Sequence, residues 1–330
     1  MTKRSNRLLT AAAAFVATAA VAGHAFAFEK EVARQRSFGG SCVKCELSGR
    51  NMAGARIVGA NFSGAALVGA NLREARFQAS SFEGADLSRA DLSDAGMSGA
   101  NFSGANLSSA RLRATEAHGV HFGSANLTRA DFSDADATGA NFKNASMAGA
   151  VLRSAEVRGG MFGSADLTKA IFNDADTTGA NFSRAILRSA SFRSASLKGA
   201  MLSKVDASAA NFTDADLTGA NLSGGRFIKA SFRSASLKAA MLSGGSFEGA
   251  DFRDADLQRA VLHGVDLSAA RGLTQDQLDE ACADARTKLP PGLSGKACHG
   301  VRMMVKPHAP RPPAPPSPPE APRYFIAIVP

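Results

Sequence analysis

The chain has 330 residues, with 38 Lys or Arg against 29 Asp or Glu, four Cys, no Trp and one Tyr. Its net charge of +9 sits mostly on the ends: residues 1–27 carry +3, 28–45 carry +2 and 271–330 carry +3, leaving +1 for residues 46–270. A nearly neutral middle does not supply the basic stripe that a nucleic-acid-binding surface requires.

Residues 1–27 read as a secretory signal peptide. Lys3, Arg4 and Arg7 form the basic start, residues 8–22 the apolar stretch, and Ala25-Phe26-Ala27 an A-x-A cleavage site ahead of Phe28. The apolar run is short and Ala-rich for a retained anchor, and no other stretch is suited to span a bilayer. The expectation is a periplasmic or secreted protein. Residues 28–45 are expected to form an N-terminal cap segment that ends in Cys42-Val43-Lys44-Cys45.

From Leu47 to Leu267, 45 consecutive pentapeptides keep one register without insertion or deletion. Forty-one of the 45 register positions are Leu, Phe, Met, Ile or Val, and the exceptions are Ala117, Ala137, Thr177 and Ala207. Two residues earlier, 35 of 45 positions are Ala, and the residue between is often Asn or Asp. A period of five is neither that of a strand nor that of an amphipathic helix. Fixed-period self-similarity means a solenoid whose repeats bury their apolar side by stacking. A second period gives the coil: Phe62, Phe82, Phe102, Phe122, Phe142, Phe162 and Phe182 stand 20 apart. Stacked like on like, these rings form a continuous core ladder, so one coil takes four pentapeptides. Residues 46–270 then make about eleven coils and a rod ~50–55 Å long at the spacing of neighbouring strands. Its narrow interior, one bulky side chain and one Ala per pentapeptide, has no space for a ligand pocket.

The pattern of Ala85-Asp86-Leu87, Ala125-Asn126-Leu127 and Ala215-Asp216-Leu217 resembles the pentapeptide repeat family, over residues 46–270. The resemblance implies an all-β solenoid, a right-handed quadrilateral β-helix, and almost nothing about activity. Some cytoplasmic members mimic duplex DNA with an acidic rod and protect DNA gyrase. That alternative, a topoisomerase-binding DNA mimic, conflicts here with the near-neutral rod and the export signal.

On one face of such a rod, Arg73, Arg113, Arg153, Arg193 and Arg233 recur every 40 residues, and Asp94, Asp134, Asp174, Asp214 and Asp254 fall in the intervening coils. This reads as a self-neutralising surface ladder, each pair worth ~0–1 kcal/mol. The face over the Phe ladder is plainer, with Ser63-Gly64, Ser103-Gly104, Ser223-Gly224 and Ser243-Gly244. It is flat enough to pack against a flat partner, including a second rod, and equally compatible with plain solvent exposure.

In an exported chain, cysteines at the two rod ends read as local disulfides, Cys42 with Cys45 and Cys282 with Cys298, because cross-pairing would have to span the rod. Cys42 and Cys45 lack the His of a haem-attachment motif, Glu46 following instead. Residues 271–300 leave the register and read as a small helical, disulfide-stapled C-terminal cap. Thr274 and Gln277 make a capping box, a helix runs over residues 274–289, and Pro290-Pro291 stops it. Residues 301–330 form a Pro-rich flexible tail ending in an apolar strand candidate at residues 324–329. His118 and His121 have no carboxylate companion that sequence can place. There is no Gly-rich phosphate loop, zinc spacing or nucleotide fingerprint. The expectation is a non-enzymatic structural or protein-interaction scaffold without catalytic, cofactor or metal residues, acting on an unknown protein partner in the cell envelope. A homo-oligomer is possible, and nucleic acid is not expected.

Overall fold

The computed structural model describes residues 40–297. Parallel bridges join residues 20 apart, from Ser41–Asn61 through to Asp251–Arg271. Each coil is therefore four pentapeptides, and each pentapeptide adds one short bridge to the growing face. The architecture is a right-handed quadrilateral β-helix. Its four faces are labelled by their core columns: A (Phe62, Phe82), B (Leu67, Leu87), C (Leu72, Leu92) and D (Phe77, Met97), all buried.

The five-residue period arises from a turn at every corner. Ala65 donates its N–H to the Phe62 carbonyl at 3.0 Å, and this i to i+3 bond recurs along the rod. From Lys44 to Gly264 every fifth residue has φ between +51° and +69°, while the residue before it does not. Positive φ at the second central position alone is the mark of a type II turn. The Asn or Asp ahead of each core residue secures the same corner. Asn61 Oδ1 accepts the Ser63 N–H at 2.9 Å, and Asp86 Oδ1 accepts that of Ser88 at 2.9 Å. Asn side chains also bond from coil to coil, as Asn71 does to Asn51 at 3.0 Å and Asn126 to Asn106 at 3.2 Å.

Inside, Phe62 to Phe182 stack consecutively with ring centroids 4.7–5.4 Å apart. A second ladder on face C runs through Phe172, Phe192, Phe212, Phe232 and Phe252. The two ladders meet edge to face where they overlap, as at Phe172–Phe182 with an interplanar angle of 86°. Ala117, Ala137, Thr177 and Ala207 are fully buried. Thr177 loses nothing by burial, because its hydroxyl donates to the Ser196 carbonyl at 2.9 Å.

Two boundaries differ from the sequence reading. The coil begins one pentapeptide earlier than residue 46: Ser41 bridges Asn61, Cys42 donates to the Asn61 carbonyl at 2.7 Å, and the Cys45 carbonyl accepts from Ala66 at 2.8 Å. Cys42 and Cys45 occupy the bulky and the Ala positions, and their disulfide (Cα–Cα 5.3 Å) closes that corner. At the other end the helix, α1 (Gln275–Asp279), is five residues long rather than spanning 274–289. It takes the place of a face D pentapeptide and seats Leu278 on the core. Beyond it the chain returns to the coil, because the last coil has open backbone groups that a longer helix would leave unpaired. Cys282 donates to the Ala260 carbonyl at 2.8 Å and accepts from Leu262 at 2.7 Å, and Lys288 pairs with Val265 and Leu267 in the same manner. Cys298, the signal region with Ala25, Ala27 and Phe28, most of the N-terminal segment and the tail lie outside the described residues, and so does the Cys282–Cys298 pairing.

Candidate docking face

The regular coil turns the sequence into four columns of outward positions, and charge is distributed over them unequally. Of the 22 acids in residues 46–270, face A holds one, Glu83; faces B, C and D hold 6, 9 and 6. From Asn101 to Gly264, face A presents no carboxylate at all.

On faces C and D acids and cations pair along the rod. On face C, Arg73 meets Asp94 at 3.2 Å, Arg113 meets Asp134 at 3.5 Å and Arg193 meets Asp214 at 3.8 Å, each pair about half exposed. Face D carries a ladder that the sequence reading missed. His118 Nε2 lies 2.8 Å from Asp136, Lys198 3.2 Å from Asp216 and Lys238 3.1 Å from Asp256, with Arg158 and Asp176 paired between them. The signal was present in the sequence: His118, Arg158, Lys198 and Lys238 recur every 40 residues, as the arginines do on face C. Asp136 is partly buried, which pushes its pKa up, but the Thr138 hydroxyl and N–H and the His118 ring outweigh this and hold it below the ordinary value. His118 therefore has a carboxylate companion that only the coiling supplies.

Face A is built differently. Along its outer column Asn141, Met161, Asn181, Met201, Asn221, Met241 and Val261 follow one another, one per coil. Met201 and Met241 are each 42% exposed, and Val43 on the same face is 47% exposed. These are three of the five large hydrophobic residues exposed among the described ones, the others being Val58 and Ile186. Beside the column lie Ser203, Ser223 and Ser243, with Gly224, Gly244 and Gly264 at the corners. The result is a flat strip without acids, in which adaptable thioethers alternate with amides. Protein interfaces are enriched in Met and depleted of Asp and Glu, and the strip shares those two features. The sequence reading singled out this face for its Ser-Gly pairs and missed the methionines, although Met161, Met201 and Met241 also stand 40 apart.

The core ladder Phe62 to Phe182 lies beneath this face and is fully covered, so it supports the strip and does not contact a partner. Cys42 and Cys45 close the N-terminal end, and Cys282 sits in the last coil. A hollow of about 230 Å³ opens in the cap beside Asp284, Thr287 and Leu289. Asp284 is held far below the usual carboxylate range, chiefly by the Gly264 N–H it accepts at 2.8 Å and by the Thr287 hydroxyl. Its role is to tie the cap to the last coil. Among the described residues no group of His, Cys, Asp and Glu could hold a metal ion, and no helix is long and apolar enough to cross a membrane.

A regular solenoid with a disulfide-closed first corner and one flat strip without acids is the architecture of a repeat scaffold. The chain belongs to the pentapeptide repeat family: the profile described as pentapeptide repeats matches it in overlapping stretches from residue 41 to 268. Members of this family are generally structural repeat proteins and not enzymes. Among solved structures it is similar to HetL, a pentapeptide repeat protein involved in heterocyst differentiation regulation from the cyanobacterium Nostoc sp. strain PCC 7120. The two are 32% identical over 69% of this chain and 90% of that one, with a TM-score of 0.34. A pentapeptide repeat protein from the Arabidopsis thaliana thylakoid lumen is 33% identical over 29% of this chain and 64% of its own, with a TM-score of 0.23. QnrB1, a plasmid-mediated fluoroquinolone resistance protein, is 20% identical over 70% of this chain and 92% of its own, with a TM-score of 0.28. No curated protein matches the chain.

Proposed function

We propose that this protein is an exported, non-enzymatic scaffold of the cell envelope, a rigid rod that binds a protein partner along face A and is followed by the Pro-rich residues 301–330. The observation that carries the docking reading is the exclusion of acids from one face of a rod whose other faces hold 21 of its 22 acids. The export reading rests on the basic start, apolar stretch and Ala25-Phe26-Ala27 of the first 27 residues.

The alternative of a DNA mimic needs dense negative charge over the faces. Here the acids of faces B, C and D are matched by cations, many in direct pairs such as Arg188 with Asp206 at 2.7 Å. That leaves no continuous acidic surface to stand in for a phosphate backbone.

The test is a pull-down from envelope material with full-length protein, a Met201→Asp/Met241→Asp variant and a chain lacking residues 301–330. Both Met are exposed, so the variant keeps its core, and circular dichroism verifies this. The expected outcome is capture of the same partner by full-length and tail-deleted protein, and its loss with the Met variant. Capture that survives the Met variant and disappears with the tail would move docking to the tail and sink this reading.

A further inference from the structure

From Asn101 to Gly264 the docking face carries three Lys or Arg side chains and no carboxylate. Lys143, Arg184 and Lys204 are exposed, and none takes part in the ion pairs among the described residues. Elsewhere some cations are paired, Arg113, Arg188 and Lys198 each having an Asp within 3.5 Å. Unpaired ones such as Lys169, Arg226 and Lys229 share face B with Asp166, Asp206 and Glu248, whereas face A holds no acid from Asn101 to Gly264. The lysine stems on face A lie along the rod over glycines of the next coil. Lys143 Cγ is 3.9 Å from where a Cβ would stand at Gly163, and Lys204 Cγ is 3.6 Å from that point at Gly224. Their stems are thus laid flat while their ammonium groups stay unpaired. With coils about 4.8 Å apart, the three heads mark a line with steps of about 10 and about 5 Å.

We propose that the partner on face A is a protein presenting an acidic stripe along the rod axis, whose carboxylates pair with Lys143, Arg184 and Lys204 while apolar groups cover Met201 and Met241. This rests on the docking reading above and gives the partner its chemistry. Opposite potential across the contact supplies encounter rate and register, and the flat apolar strip supplies contact area. A second copy of the rod fits less well. Most acids of its ladders already have cations of their own, and a twofold arrangement of face A on itself opposes cation to cation. A bilayer fits less well too, because Asn181 and Asn221 flank Met201, and acyl chains would strip these amides of water without offering partners.

The experiment places the photo-crosslinking residue benzoyl-phenylalanine at Asn221 of the full-length protein and exposes it to envelope extract of the native host. Three backgrounds are compared: otherwise unchanged, Lys143→Glu/Arg184→Glu/Lys204→Glu, and a face B control, Lys169→Glu/Arg226→Glu/Lys229→Glu. Both triple variants change the net charge equally and break no ion pair among the described residues. The expected result is a protein adduct whose linked peptide is rich in Asp and Glu. Its yield should fall about tenfold or more in the face A variant, stay near the unchanged level in the control, and weaken as salt rises from about 50 to about 300 mM. Equal yields in the two triple variants, or a linked peptide without an acidic cluster, would overturn the acidic stripe while leaving the docking face in place. An adduct to a second copy of this chain or to phospholipid would overturn it as well. No adduct from Asn221, with adducts from the same residue placed on face C or D, would overturn the docking reading itself.

Discussion

At the residue scale the fold depends on positions that look interchangeable in the sequence. The second turn residue of every pentapeptide is left-handed, yet 26 of these between Lys44 and Gly264 are not Gly. Each non-Gly residue there carries a strain of roughly 1 kcal/mol, which the coil holds by hydrogen bonds on both sides. Gly219 (φ +67°) has open space around it, so Gly219→Ala isolates this backbone term and should cost about 1 kcal/mol in urea denaturation. Gly225 tests packing instead. It stands in an Ala position, where a Cβ would lie 2.5 Å from Phe227 Cε2 and 3.2 Å from the Leu222 carbonyl oxygen. Gly225→Ala should therefore cost about 1–3 kcal/mol by overpacking. Equal losses at the two sites would mean that the ring moves aside freely. Gly160 and Gly245 make the same concession, to Val157 and Phe247. This is why three positions of the small column are Gly and not Ala.

At the scale of an element, the ends carry the burden, since a solenoid's interior repeats itself and its last coil does not. Helix α1 serves as a lid in which the buried Leu278 and the side chain of Gln277 face the last coil. Gln277 Nε2 donates to the carbonyls of Phe252 at 3.0 Å and Ala255 at 2.7 Å, while its Oε1 accepts the Thr274 N–H at 2.8 Å. The Ala255 carbonyl, which lacks a face D pentapeptide above it, is thereby satisfied, while the Phe252 carbonyl also accepts the Ala255 N–H at 3.1 Å. Gln277→Ala should cost about 1–3 kcal/mol and raise amide exchange across residues 252–271, with the central coils unchanged. Unchanged exchange in those residues would show that Leu278 alone holds the lid. The ladders belong to this scale too. Asp91, Asp136, Asp176, Asp206 and Asp216 are partly buried, which by itself raises their pKa values. Hydrogen bonds from the Ser or Thr two residues on, together with neighbouring Arg, Lys or His, outweigh this and leave all five below the ordinary value. Groups depressed in the folded state stabilise it above their unfolded pKa and lose that contribution as pH falls through the folded value. The melting temperature should accordingly be level from about pH 8 to about pH 5 and fall below about pH 4. A fall that begins near pH 6 would mean that groups other than these aspartates govern the acid limb.

For the whole molecule, one prediction concerns where it works. If residues 1–27 are removed on export, the intact mass of protein recovered from the native envelope corresponds to a chain beginning at Phe28. A chain recovered from the cytoplasm with Met1 in place would refute export and reopen the topoisomerase alternative. Length, stiffness and the count of coils all follow from one arithmetic, the 20-residue register that sets bridge upon bridge without interruption over residues 41–271. Face A is a property at this scale, since no single pentapeptide shows that carboxylates are missing from one side.

The sequence by itself determined the coil, because a five-residue period of one bulky and one small apolar side chain has no other way to bury itself. It also determined the phase of the aromatic ladder, since Phe62 to Phe182 can recur every 20 residues only if they share a column. Tertiary structure alone decided which charges meet: His118 with Asp136 and Arg188 with Asp206 are 18 residues apart and become neighbours only by coiling. It likewise decided how the rod ends. The local signals after Thr274 favour a helix as far as Pro290, but the open edge of the last coil offers Cys282 and Lys288 backbone partners that local propensity cannot register. Hydrogen-bond demand at an edge is set by what lies beneath it, and that information is held by residues some 20 positions away.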